Sequence, residues 1–207
     1  ALYSLRLTGI KEVVRDVFFV GCRSCLRFSD YSRLDKSCFT RTEKGNLVID
    51  LTQQKTGGRV VIPILDDKIV KVLEKYDYQL PQLTEQVLNS NIKEICRELS
   101  DVVPSLTKKE ITLLTKHERR QEQTYKKKYG KDLFERDGRG NVIRPRWQLV
   151  SSHTARRSGI TNLYLTHKLS TFQMMSISGH QSERVFRNYI KLSRYEKADE
   201  IIDTLSD

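Results

Sequence analysis

Two stretches near the end of the chain decide how it reads: Ser151-Ser152-His153-Thr154-Ala155-Arg156-Arg157, and Gly179-His180-Gln181-Ser182-Glu183-Arg184-Val185-Phe186-Arg187-Asn188-Tyr189. In the first, His153 and Arg156 stand three apart, so a helix would project both from one face. Ser151 or Ser152 suits the cap of that helix, which runs through Leu165. Ser170 caps a second helix that Gly179 ends, because glycine tolerates the left-handed conformation at a helix C-terminus. His180 follows directly. Ser182 caps a third helix, with Val185, Tyr189 and Leu192 on one face.

Upstream, Ile10, Val13, Val14, Val17 and Phe18 recur at helical spacing and predict an amphipathic helix that ends near Cys25, just before Arg27. A short helix starts at Ser29, with Asp30 as a second possible cap. The period then changes. Residues 46–52 and 59–64 are β-rich runs separated by Gln53-Gln54-Lys55-Thr56-Gly57-Gly58, which is a hairpin with Lys55 at its tip. Pro63 confines the second strand to an edge. Asp66 or Asp67 caps a helix carrying Ile69, Val72, Leu73 and Tyr76, and Pro81 precedes another with Val87, Leu88, Ile92, Ile95 and Leu99. Residues 107–146 read two ways: Thr107 and Glu110 could form a capping box, yet 111–115 would suit a strand. Residues 137–141, Asp-Gly-Arg-Gly-Asn, read as a turn. The fold class is mainly α with a small antiparallel β-sheet (α+β), in one domain over residues 1–207.

Composition narrows the function. The 207 residues include 37 Lys plus Arg against 26 Asp plus Glu, a formal charge of +11, and 38% are hydrophobic, enough for a core. No apolar run approaches the ~20 residues of a membrane helix, and no secretory signal opens the chain, so the expected location is cytoplasmic and no membrane partner is expected. The first residue is Ala, which leads us to expect a fragment of a longer chain. Residues 138–182 hold no Asp or Glu but include Arg139, Arg144, Arg146, Arg156, Arg157 and Lys168. Arg119, Arg120, Lys126, Lys127, Lys128 and Lys131 lie just before them, whereas the last residues from Glu196 reverse sign. A carboxylate-free basic block of this length suits a polyanion. Cys22, Cys25, Cys38 and Cys96 are too few for a disulfide framework, and the Cys22-x-x-Cys25 pair lacks a second pair at metal-ligand spacing. They read as small buried residues.

The ordered set Leu26-Arg27-Phe28-Ser29-Asp30, Lys55-Thr56, His153-x-x-Arg156, Gly179-His180 and Tyr189 resembles the tyrosine recombinases, the phage integrase family, with the likeness nearest to integrases of conjugative transposons and related mobile elements. It runs over nearly the whole chain, and the nine-residue step from His180 to Tyr189 is its most specific part. The resemblance implies a catalytic domain acting on double-stranded DNA as a homo-oligomer, a tetramer, with accessory DNA-bending proteins possible and no cofactor or metal. The family's N-terminal core-binding domain has no counterpart in these residues, and Cys25 stands where the family commonly has Gly.

Breaking a phosphodiester without metal requires a nucleophile, charge neutralisation at phosphorus and an acid for the leaving oxygen. The sequence has no clustered carboxylates for a two-metal site. By the resemblance, Tyr189 attacks and forms a 3′-phosphotyrosine link, Arg27 and Arg156 hold the non-bridging oxygens, and His153 exchanges the Tyr proton. His180 donates a hydrogen bond to the phosphate, and Lys55 protonates the 5′-oxygen. Arg157, about 100° round the helix from Arg156, faces away. Tyr195 falls outside the spacing, and His117 and His167 are surface or packing residues. Tyr195, Ala198, Ile201, Ile202 and Leu205 form an apolar stripe that packs either on its own domain or on a neighbouring protomer. Two other functions share part of this pattern: a type IB topoisomerase, with the same Arg, Lys, His and Tyr chemistry, and a DNA-binding module in which Tyr189 is only packing.

Overall fold

The computed structural model describes residues 1–190, Leu192 and residues 194–206. Helix α1 (Gly9–Ser24) buries Val14, Val17 and Phe18 as its period dictates, while Ile10 at its first turn stays half exposed. It ends on Cys25, whose φ of 56° is left-handed, the conformation for which glycine is the usual residue. Helix α2 (Phe28–Tyr31) follows. Its cap position is Arg27, not Ser29 or Asp30, and Asp30 lies buried inside the helix. Three strands come next: β1 (Phe39–Arg41), β2 (Leu47–Thr52) and β3 (Arg59–Pro63), antiparallel in the order β1-β2-β3. The expected hairpin is β2 and β3, with Val48 opposite Pro63 and Thr52 opposite Arg59. Pro63 sits on an edge strand, where its missing N–H leaves no gap in the ladder.

Helix α3 (Asp67–Lys75) is capped by Asp66, whose carboxylate accepts from the Lys68 amide, and buries Ile69, Val72 and Leu73. Helix α4 (Glu85–Leu99) is capped by Thr84 and buries Leu88, Ile92 and Ile95. The ambiguous stretch contains both structures, displaced. Lys109–Ile111 is strand β4, and the capping box belongs to Thr115 and Glu118 at the start of helix α5 (Lys116–Tyr129). Strand β5 (Ile143–Pro145) returns antiparallel to β4 after the turn at Asp137, and helix α6 (Arg146–Leu149) follows.

Helix α7 (Ser152–Tyr164) and helix α8 (Thr171–Ser178) run as expected, and α8 ends on Gly179 at φ 67°. Helix α9 is shorter than its sequence pattern suggests. It spans Glu183–Arg187 only and buries Phe186, while Val185 is exposed and Tyr189 stands in the turn beyond it. The core gathers where α1 packs against α7 and α4, with α8 laid over β3. Gly159 allows the α1–α7 approach: a Cβ there would fall 2.2 Å from the Cys22 carbonyl oxygen. Helix α10 (Arg194–Ser206) returns to the domain through a hydrogen bond from Tyr164 to Glu200, yet Tyr195, Ile201 and Leu205 stay exposed. The four cysteines are free, three of them buried, and among the described residues no helix is long and apolar enough to cross a membrane.

Candidate active site

Four separate elements deliver the expected residues to one cleft of about 330 Å³, lined by Arg27, Lys55, His153, Arg156 and Tyr189 together with Phe28, Ser29, Glu85 and Ser152. Arg27 arrives on the α1–α2 corner and Lys55 on the exposed β2–β3 turn. His153 and Arg156 come from the first turns of α7, and Tyr189 from the turn after α9. The sixth residue, His180, is buried directly behind this cleft. Its ring lies 4.6 Å from that of Tyr189, and the His153 ring lies 5.1 Å from the same Tyr189 ring.

Arg156 is the pivot. It is fully buried, and its guanidinium donates to the Cys25 carbonyl at 2.7 Å and to the Ser178 carbonyl at 2.9 Å. Its carbon stands 5.3 Å from the centre of the Tyr189 ring, within cation–π range. The left-handed backbone at Cys25 therefore does more than end a helix, since the peptide oxygen it carries holds Arg156. Among the described residues neither Arg156, Arg27 nor Lys55 has a carboxylate within ion-pair distance. Burial, and then Arg27 alongside, hold the Arg156 pKa down to about 10, so it remains cationic at neutral pH. A buried cation held only by neutral dipoles is costly, and an anion entering the cleft would offset that cost.

The same cations act on the histidines. Burial first, then Arg156 and Arg27, lower His180 to about 4, which leaves it neutral. One ring nitrogen must then accept and the other donate. Arg156 Nη2 stands 3.1 Å from Nε2, and Ser178 Oγ stands 2.8 Å from Nδ1. Ser178 in turn donates to the Met174 carbonyl at 2.9 Å, so the network assigns the proton to Nδ1. His153 is likewise lowered, by burial first and then by Arg157, Arg156, Arg27 and Lys55. Arg157 lines a different groove with Thr154 and Ser158, as its place on the helix requires, but makes no ion pair among the described residues. Tyr195 is 83% exposed, and His117 and His167 are exposed as well.

Two contributors escaped the sequence reading. Gln53 is 1% exposed, and its amide touches Arg27, Thr56 and the Ser178 carbonyl. Asp30, read from the sequence only as a possible helix cap, accepts from the Gln54 amide at 2.9 Å and ties the hairpin to α2. A third support is Thr161 on α7, which donates to the Tyr189 carbonyl at 3.1 Å. Residues of this type carry no signal until their neighbours are known.

Neither a family model nor a curated protein matches the sequence significantly. Solved structures do. The XerH site-specific recombinase bound to palindromic difH substrate, a post-cleavage complex, aligns with a TM-score of 0.57 at 15% identity over 98% of this chain and 49% of its own. The XerH pre-cleavage complex gives 0.56 at 15% identity over 97% and 49%. The Tn1549 transposon integrase in complex with transposon right end DNA reaches only 0.44 at 13% identity, over 95% of this chain and 60% of that one. The chain thus has the fold of a tyrosine-recombinase catalytic domain, and it spans about half the length of XerH.

Proposed function

We propose that this chain carries out site-specific cleavage and rejoining of DNA through a 3′-phosphotyrosine intermediate, in the integration and recombination of a mobile element. The observation that carries the proposal is Arg156: a fully buried cation without a carboxylate partner among the described residues, set against the ring of a partly buried tyrosine in the same cleft as Arg27 and Lys55. An anion with several oxygens and a nucleophile beside it are what such a cleft would serve.

In this mechanism Arg27 and Arg156 bind the non-bridging oxygens of the scissile phosphate and stabilise the charge that builds as Tyr189 attacks. A phenol is a weak nucleophile until its proton is removed, so it needs a base. His153, held neutral and beside the Tyr189 ring, takes the proton. His180 steadies Arg156 before DNA binds, and once the anion's charge raises its pKa it donates to a phosphate oxygen. Lys55 swings in on the exposed turn and protonates the departing 5′-oxygen. The phosphotyrosine conserves bond energy, so a second 5′-hydroxyl reverses the step and completes strand exchange. The protein works as an oligomer on double-stranded DNA, a tetramer during exchange, and the exposed stripe of α10 docks on a neighbouring protomer.

A metal-free assay on a nicked duplex from the ends of the element that encodes the chain tests this. In EDTA, a protease-sensitive protein–DNA adduct is expected for the native sequence and none for Tyr189→Phe. An adduct that persists in Tyr189→Phe would overturn the assignment. Plasmid relaxation irrespective of sequence would favour topoisomerase action instead. His153 as base also sets a pH limb: with DNA subsaturating, the acid-side decline of cleavage falls below pH 6.5, the ordinary His value, because its pKa is lowered. A midpoint above 6.5 would contradict this.

A further inference from the structure

The exposed turn that carries Lys55 is fastened to the arginines by one buried amide. We propose that Gln53 is a positioning residue that couples Lys55 to Arg27 and Arg156, so that the leaving-group acid and the phosphate clamp are set by the same side chain. This rests on the recombinase mechanism above. Gln53 Oε1 accepts from Arg27 Nη1 at 3.2 Å and from Thr56 Oγ1 at 2.9 Å, and Thr56 adjoins Lys55 in the turn. Its Nε2 points to the Ser178 carbonyl at 3.4 Å, the oxygen that also receives Arg156 Nη2 at 2.9 Å. The Gln53 backbone closes the turn as well, donating to the Gly58 carbonyl and accepting from the Gly57 amide, both at 2.9 Å.

The surroundings are shaped for this amide. Gly179 lies against it: a Cβ there would come 2.4 Å from Gln53 Oε1. A glutamine is needed because the site asks one side chain to accept on one side, from a guanidinium and a hydroxyl, and to donate on the other, to a carbonyl. Glutamate would fill the same space but present an acceptor to the Ser178 oxygen and add a charge beside Arg27. Methionine would fill it with no hydrogen bond at all.

The experiment compares Gln53→Met and Thr56→Val with the native sequence in single-turnover cleavage of the nicked duplex. DNA affinity by mobility shift and thermal midpoint are measured in parallel. Gln53→Met is expected to slow cleavage 10- to 100-fold with affinity changed less than threefold. Thr56→Val, on the exposed turn, removes one of the same bonds without touching the core, and a loss of three- to tenfold is expected. A second substrate carries sulfur in place of the bridging 5′-oxygen. A thiolate leaves without a proton, its conjugate acid having a pKa near ~8.5, so it bypasses Lys55. On it, Thr56→Val and Lys55→Ala both recover to within threefold of the native rate, and Gln53→Met recovers in part because Arg27 is still displaced.

Native-rate cleavage by Gln53→Met or by Thr56→Val would overturn the coupling. So would defects that sulfur does not relieve, or a Gln53→Met loss that only tracks a lowered melting point while Thr56→Val is silent. Failure of the native sequence to form any adduct would refute the recombinase mechanism itself, which is a separate result.

Discussion

Gly159 and Gly179 are irreplaceable for different reasons. At Gly159 an added methyl meets backbone, the Cys22 carbonyl oxygen at 2.2 Å, so α1 and α7 would have to part. At Gly179 it meets Gln53 and also a φ of +67°, which side chains other than glycine rarely adopt. Gly159→Ala should therefore cost about 3 kcal/mol through overpacking, and Gly179→Ala about 1–2 kcal/mol from the left-handed backbone alone. Chemical denaturation measures both, and a change below 0.5 kcal/mol, within the range of an ordinary surface substitution, would contradict the packing described. At this scale the sequence was legible where chemistry is rare. A His and an Arg three apart, a Gly-His pair and a Tyr nine residues on form a pattern with few other uses, and the fold brings those side chains together. Gln53 was illegible because a glutamine before a hairpin tip is ordinary, and only its burial and three partners distinguish it. The role of Cys25 was hidden likewise, since a left-handed cysteine reads as a poor glycine until its carbonyl is seen holding Arg156.

Among the elements, α5 stands apart. It is capped at both ends but buries no residue, and its carboxylates Glu118 and Glu122 pair with Arg144 and Arg136 from outside the helix. A helix polar all round has no apolar stripe for periodicity to detect, which is why residues 107–146 read ambiguously, with a strand expected at 111–115 and no helix placed at 116–129. What it offers is charge. Replacing Arg120, Lys127 and Lys128 with Gln should leave the thermal midpoint unchanged. The slope of log K for DNA against log salt should become shallower by about 2–3, close to one per lost phosphate contact. An unchanged slope would mean that α5 faces away from DNA. Two other departures are also matters of length. Strand β1 has three residues, too few for alternation to show, and α9 stops at Arg187 because Phe186 alone anchors it in the core. That early stop frees Tyr189 from helical geometry and leaves it in a turn held by Thr161.

At the scale of the whole molecule, the cleft sets stability against function. It concentrates buried or half-buried cations and neutral histidines where an anion would be welcome, so the unliganded protein should be sensitive to acid. The sign follows from His180, which titrates at about 4 when folded and near 6.5 when unfolded. The unfolded chain therefore binds more protons between those values, and the stability present above pH 6.5 is lost as pH falls toward 4. By pH 5 the loss is about 2 kcal/mol from this group. Thermal melting should show the drop, His180→Gln should lessen it, and bound duplex DNA should offset it. Equal pH slopes for the native and His180→Gln proteins would contradict the electrostatics described. The central claim is still the covalent one, and its most direct test is to trap the protein–DNA adduct, digest it, and identify the modified residue and the DNA end by mass spectrometry. The expected result is a 3′-phosphate ester on the Tyr189 oxygen. A link through a 5′-phosphate, or through any other residue such as Tyr195, would contradict it.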